Sequence, residues 1–208
     1  MLPVRADFQE LKARFAGSVG AVRVGRERLF ATAVPAIDAL LGGGIPYGCV
    51  AAFEGMGSRS LAAALLAQAT HSGLGAIIDG GELYPPSLEA AGVRLDRLMI
   101  VPVRTPVEAA RAADVLLRSR AARVVVMAAG ALRAAIWLRL ARLAQRTGAV
   151  LVVLAARAIA EVSAVATVAL QCRALPVQGG SHGLWGIFTG FEVRTDVRRY
   201  RNGRAAHA

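Results

Sequence analysis

The chain has 208 residues, of which 55% are hydrophobic, and a formal net charge of +11 at pH 7. That length suits one large domain with a substantial core, and the charge suits a polyanionic or acidic partner, although arginine excess is also what a GC-rich coding sequence produces. Much of the hydrophobic fraction is alanine. The longest uncharged stretch, 60–78, is broken by Gln68, Thr70, His71, Ser72 and Gly73, so no membrane-spanning helix is expected.

The opening MLPVRADFQELKARF lacks the apolar block of a secretory signal, and there are only two cysteines, Cys49 and Cys172. A reduced, cytoplasmic setting with both thiols buried is therefore expected. His71, His182 and His207 are far apart in sequence and the cysteine spacing matches no zinc motif, so no metal site is expected. Lys12 is the only lysine, which makes the other 24 basic residues arginine.

In chain order, 1–30 reads as a leading helix and linker, with Phe8, Leu11 and Phe15 at helical spacing, a candidate arm for self-association or a partner. The core domain is expected over 31–208. AIDALLGGG is a helical turn closed by glycines, IPYG a turn, and CVAAFEG a buried strand. A helix is expected over 60–71, followed by the strand GAIIDGG, the helical LEAAGV and the strand RLMIVPV. PVEAARAADVLLRSRA is a helix with Pro106 in its first turn. RVVVMAA and AVLVVLAA are strands on either side of the helix ALRAAIWLRLARLAQRTG. AEVSAVATVAL reads as a short helix before the strand QCRALPV, and GLWGIFTGFEVRTDVRRYRNGR as a hairpin or meander. Continuous apolar strands separated by amphipathic helices predict an α/β, doubly wound, mostly parallel sheet flanked by helices, with antiparallel strands at its C-terminal edge.

FEGMGSRSLAAALLAQA has the outline of a phosphate-binding loop: a strand end, glycines, a hydroxyl residue, a helix. Together with VPAIDALLGGGIPYGCVAAFEG, AIIDGGELYPPSLEAAGVRLDRLMIVPV and the terminal VRRYRNGR, it resembles the RecA/RadA/KaiC superfamily of P-loop ATPases over most of the chain from Val34 onward. That resemblance implies a RecA-like core and places a vestigial nucleotide or anion site at Gly55, Gly57, Ser58, Arg59, Ser60 and Glu82.

The sequence departs from the family where the family does chemistry. A working loop wraps phosphates with backbone N–H groups and contacts them with a lysine ammonium. Here the loop is about two residues short of the motif, Ser58 stands in place of its last glycine, and Arg59, a wide planar fork, stands in place of the lysine. The second acidic strand ends in Met127-Ala128-Ala129 without a carboxylate. Glu82 falls one position beyond the expected catalytic glutamate, within reach of a bulge. Losing a phosphate-binding cation and a metal-shell carboxylate removes most of the transition-state stabilisation. No catalytic residue and no required cofactor are therefore expected, with weak ATP or ADP binding left open.

A trimmed, catalytically vacant RecA fold with PPSLEAAG and an arginine-rich terminus is most similar to the ImuA branch, related to SulA and RecA. That resemblance implies a DNA-damage (SOS) accessory role in translesion synthesis. The partners it implies are RecA, a Y-family-like polymerase homologue and an error-prone replicative-type polymerase. Arg139, Arg142 and Arg146 on one side of the 131–147 helix, and the terminal Arg194, Arg198, Arg199, Arg201 and Arg204, are candidate nucleic-acid or partner contacts. Each group reads equally as a solvated face or, on an edge strand, as protection against aggregation. Three alternatives stay open: a divergent ATPase using Arg59, Ser60 and Glu82, an arginine-driven DNA-binding module, and a SulA-type division inhibitor.

Overall fold

The computed structural model describes residues 28–179 and 187–200. A short antiparallel pair, β1 (Leu29–Phe30) and β2 (Ile45–Pro46), brackets helix α1 (Pro35–Leu40). Alternation follows: β3 (Val50–Glu54), α2 (Ser58–Ser72), β4 (Leu74–Asp79), α3 (Pro85–Ala90), β5 (Leu98–Pro102) and α4 (Pro106–Ser119). The chain continues through β6 (Ala122–Ala128), α5 (Ala134–Thr147), β7 (Val150–Ala155), α6 (Ala160–Val165), β8 (Val168–Gly179) and β9 (Ile187–Tyr200). Seven strands form one sheet in the order β5-β4-β6-β7-β3-β8-β9. All its pairings are parallel except β8 with β9. The α/β class, the mostly parallel sheet and the antiparallel edge are as the alternating pattern predicts.

The central strands are apolar without alternation because both faces are covered. VVV of β6 and VLVV of β7 are fully buried, and so is every residue of β3. On one face Trp137, Leu140 and Leu143 of α5 and Ala113 and Leu117 of α4 pack on the sheet. On the other, Leu61, Leu65 and Leu66 of α2 pack with Ile37 and Leu41 of the α1 turn. Phe30, placed by sequence in the leading segment, is buried in this second layer and pairs with Ile45. IPYG, expected only to turn, therefore supplies a strand partner. The leading segment is anchored to α1 by Asp38, whose carboxylate accepts from the N–H (2.9 Å) and hydroxyl (2.8 Å) of Thr32.

Helix ends follow local chemistry. Pro106 opens α4, the Thr105 hydroxyl accepts the Glu108 N–H, and the Glu108 carboxylate accepts the Arg104 N–H. Gly148, at φ 75°, stops α5. β8 begins at Val168, inside the stretch expected to be helical, because it pairs with Ala51–Glu54 of β3 over Val168–Gln171. Beyond Gln171 its only strand partner among the described residues is β9, in one hairpin rather than a meander. No helix among the described residues is long and apolar enough to cross a membrane.

Candidate functional site

In a parallel sheet with helices on both faces, the carboxyl ends of the strands form the natural binding crevice. Here β3, β4, β6 and β7 deliver Glu54, Asp79, Ala128 and Ala155 to that edge. The connection from β3 to α2 is only Gly55, Met56 and Gly57, so α2 starts at Ser58, two residues earlier than its apolar spacing predicts. Both glycines have left-handed backbone and close neighbours. Gly55 (φ 89°) lies so close to β8 that a Cβ would stand 2.5 Å from the Cys172 carbonyl oxygen, and one on Gly57 (φ 95°) would stand 2.8 Å from a Val193 methyl on β9.

The Gly55 N–H extends the ladder to β7, donating to the Ala155 carbonyl (2.8 Å), and the Ser58 N–H closes the turn onto the Gly55 carbonyl (3.3 Å). Met56 stands at the tip, 73% exposed.

Arg59 and Ser60 follow on the exposed side of the first helical turn. Arg59 forms an ion pair with Glu82, reaching across from the turn after β4. That turn is held by the Glu82 N–H, which donates to the Asp79 carboxylate at 3.2 Å, and by Gly81 at φ 95°. Glu82 reaches the arginine through this turn, not through a bulge at the end of β4. At the end of β6 the buried Met127 and exposed Ala128 occupy the strand position where a metal-shell carboxylate would stand.

Two adjoining clefts meet at this point. An open groove of about 880 Å³ runs over the turn, bounded by Met56, Arg157, Ala174 and Val193. A narrower cleft of about 400 Å³ lies between α2 and α3, floored by Ala63, Leu88, Val126 and Met127. Arg59, Ser60 and Glu82 line both, so the ion pair stands where the two clefts join. Among the described residues no group of three or more His, Cys, Asp or Glu side chains is placed to hold a metal ion.

Beneath the turn lies a pair that sequence reasoning missed. Glu54 is buried, its Oε2 has no hydrogen-bond partner, and its backbone carbonyl accepts the Gln171 side-chain amide at 3.4 Å. Burial, together with the Glu54 charge, pushes the Cys172 thiol up to about 11. A charged residue closing an otherwise apolar strand was the available signal. Only the tertiary pairing of β3 with β8 shows that it is enclosed.

The arginine groups are dispersed. Arg139 reaches across to α4 and binds Asp114 at 2.8 Å, while Arg118 binds the same carboxylate at 2.7 Å. The Arg139 hydrogen bond, aided by the Arg118 charge, holds Asp114 below the usual carboxylate range. Arg142 and Arg146 are exposed on α5. On β9, Arg194 pairs with Glu192 (3.4 Å), Arg199 donates to the Ser163 carbonyl, and Arg198 is exposed. Asp196 is matched by Arg173 at 3.6 Å. The candidate arm Phe8, Leu11 and Phe15, and Arg201 and Arg204, lie outside the described residues.

The family described as the MT3502 N-terminal domain matches residues 38–180. The chain belongs to the MT3502 N-terminal domain family. The matched span runs from within α1 past the end of β8 and contains Arg59, Ser60 and Glu82, which line both clefts. No curated protein matches this family member. Among solved structures, the crystal structure of the RadB recombinase is similar at a TM-score of 0.67 and 17% identity, covering 86% of this chain and 93% of that one. The KaiC-like protein PH0186 from Pyrococcus horikoshii OT3 is similar at a TM-score of 0.63 and 16% identity, covering 88% of this chain and 93% of that one. At such identities the likeness establishes the fold, which is RecA-like.

Proposed function

We propose that this MT3502 N-terminal domain protein is a RecA-fold accessory factor that does not turn over nucleotide and acts by contact with other proteins, in the manner of ImuA in damage-induced translesion synthesis. The observation that carries the reading is the end of β6 in Met127 and Ala128, without a carboxylate, beside a three-residue turn that carries no lysine. A triphosphate and its metal need inward-facing amides, a cation free to move onto phosphate, and a strand-end carboxylate. The residues present do not fit that group: the turn from β3 to α2 is only three residues long, Arg59 stands in place of the lysine, and β6 ends in Met127 and Ala128 without a carboxylate.

The expected partners are RecA, a Y-family-like polymerase homologue and an error-prone replicative-type polymerase, in the cytoplasm. The support is the RecA-like fold, kept around a loop without a lysine and a strand end without a carboxylate. Co-purification of the tagged full chain with each purified partner tests this role, and absence of retention of all three contradicts it.

A divergent, weakly nucleotide-binding ATPase is favoured by one observation, the meeting of Arg59, Ser60 and Glu82 at one point. That reading predicts magnesium-dependent ATP or ADP binding that Ser60→Ala abolishes. The accessory reading predicts that Ser60→Ala changes nothing.

A further inference from the structure

The outer surface of α4 and α5 lies on the opposite side of the sheet from the α2 layer and is used by neither cleft. Its exposed positions follow helical spacing: Val107, Arg111, Val115 and Arg118 on α4, and Leu138, Arg139, Arg142 and Arg146 on α5. The two stripes are locked side by side by Asp114, which binds Arg118 and Arg139 at once. Its carboxylate is thereby consumed within the protein. Glu108, exposed one turn before Arg111, is the other carboxylate on this face; among the described residues no ion pair reaches Arg111, Arg142 or Arg146, so arginines outnumber carboxylates and the face is predominantly positive. Set into it are two large aliphatic side chains, Val115 at 66% and Leu138 at 48% exposure.

We infer that the α4–α5 face is a docking surface for an acidic amphipathic protein segment, one that presents aliphatic side chains between its carboxylates. Charge complementarity selects the acidic partner. The aliphatic pair selects protein over nucleic acid: phosphates are bound by arginine and polar groups, unpaired bases by π-stacking, and Val115 and Leu138 offer neither. Apolar anchors in a ring of charge that steers the partner are a common form of protein recognition. The Asp114 clamp adds preorganisation, since the helices need not reorient to present both stripes together. This inference rests on the reading that the chain works by protein contact, and is independent of any role in mutagenesis.

The probe is a synthetic helical peptide of about 20 residues, spanning about 30 Å, with leucines along one stripe and glutamates elsewhere. It is titrated into the full-length protein by fluorescence anisotropy, alongside a labelled oligothymidylate. The peptide is expected to bind with an affinity that falls as salt rises. Val115→Ser with Leu138→Ser is expected to weaken it about tenfold while leaving oligothymidylate affinity unchanged. Arg111→Gln with Arg142→Gln is expected to reduce its salt dependence. All four positions are exposed, so the variants are expected to melt within a few degrees of the parent, a readout taken on the same samples. No peptide binding, or binding that the serine variant leaves intact, overturns the inference. So does oligothymidylate that competes the peptide off and is weakened only by the arginine variant, which marks a nucleic-acid surface. The two proposals fail separately: ATP turnover by the same preparation counts against the accessory reading alone, and a face without peptide affinity counts against the docking surface alone.

Discussion

Two ion-paired groups, on opposite faces of the same sheet, use the same chemistry for different ends. Asp114 is largely shielded, binds two arginines, and ties α4 to α5. Arg59 and Glu82 are both mostly exposed and join nothing that the backbone has not already placed. The first group is structural. The second lines the crevice at the carboxyl ends of the strands, where the two clefts meet. One side of the sheet thus carries an exposed pair beside a cleft, and the other a shielded clamp between two helices.

Four perturbations sharpen or break that contrast. The largest effect is expected at alkaline pH. Because Cys172 titrates near 11 when folded against 9.0 for an ordinary thiol, the folded chain holds a proton that the unfolded chain loses. Its contribution is complete below about pH 9 and is lost as pH rises through about 11, approaching roughly 2–3 kcal/mol. Urea midpoints measured up to pH 11 should fall with pH, and the slope should flatten in Cys172→Ala. Gly57→Ala comes next. Its left-handed backbone and its approach to Val193 should make the substitution cost about 2 kcal/mol, read as a lowered melting temperature.

Asp114→Asn should cost about 0.5–1 kcal/mol at neutral pH, because two arginines lose their shared acceptor charge. The carboxyl is held low in the folded chain, so this contribution is present above the ordinary carboxylate range and disappears as pH falls through the lowered value. The variant and parent should therefore converge in strong acid. Glu82→Ala should be smallest, within about 0.5 kcal/mol, since an exposed pair contributes little. If Glu82→Ala destabilised the chain more than Asp114→Asn, the contrast between an exposed pair and a shielded clamp would collapse.

The fold was legible because its strands are long apolar runs and its helices carry clear stripes. Val124, Val125 and Val126, or Leu140 and Leu143, reveal their environment without tertiary knowledge. The missing phosphate-loop lysine and the carboxylate-free end of β6 were equally plain. What sequence could not supply were contacts between distant positions. Arg139 and Asp114 are 25 residues apart, and no periodicity links α4 to α5. Nor does local pattern reveal that Glu54 is enclosed, or that Glu82 meets Arg59. The early start of α2 was missed for a related reason. Apolar spacing locates a helix face, whereas its first residue here is decided by Gly57 in a left-handed turn.

The central claim is that the crevice at the ends of β3, β4 and β6 does not cleave nucleotide. It is tested most directly by incubating a stoichiometric excess of the full-length protein with radiolabelled ATP and magnesium and measuring released phosphate, with Arg59→Ala in parallel. The account predicts release indistinguishable from the protein-free blank for both proteins. Phosphate release by the parent chain that Arg59→Ala abolishes would contradict it.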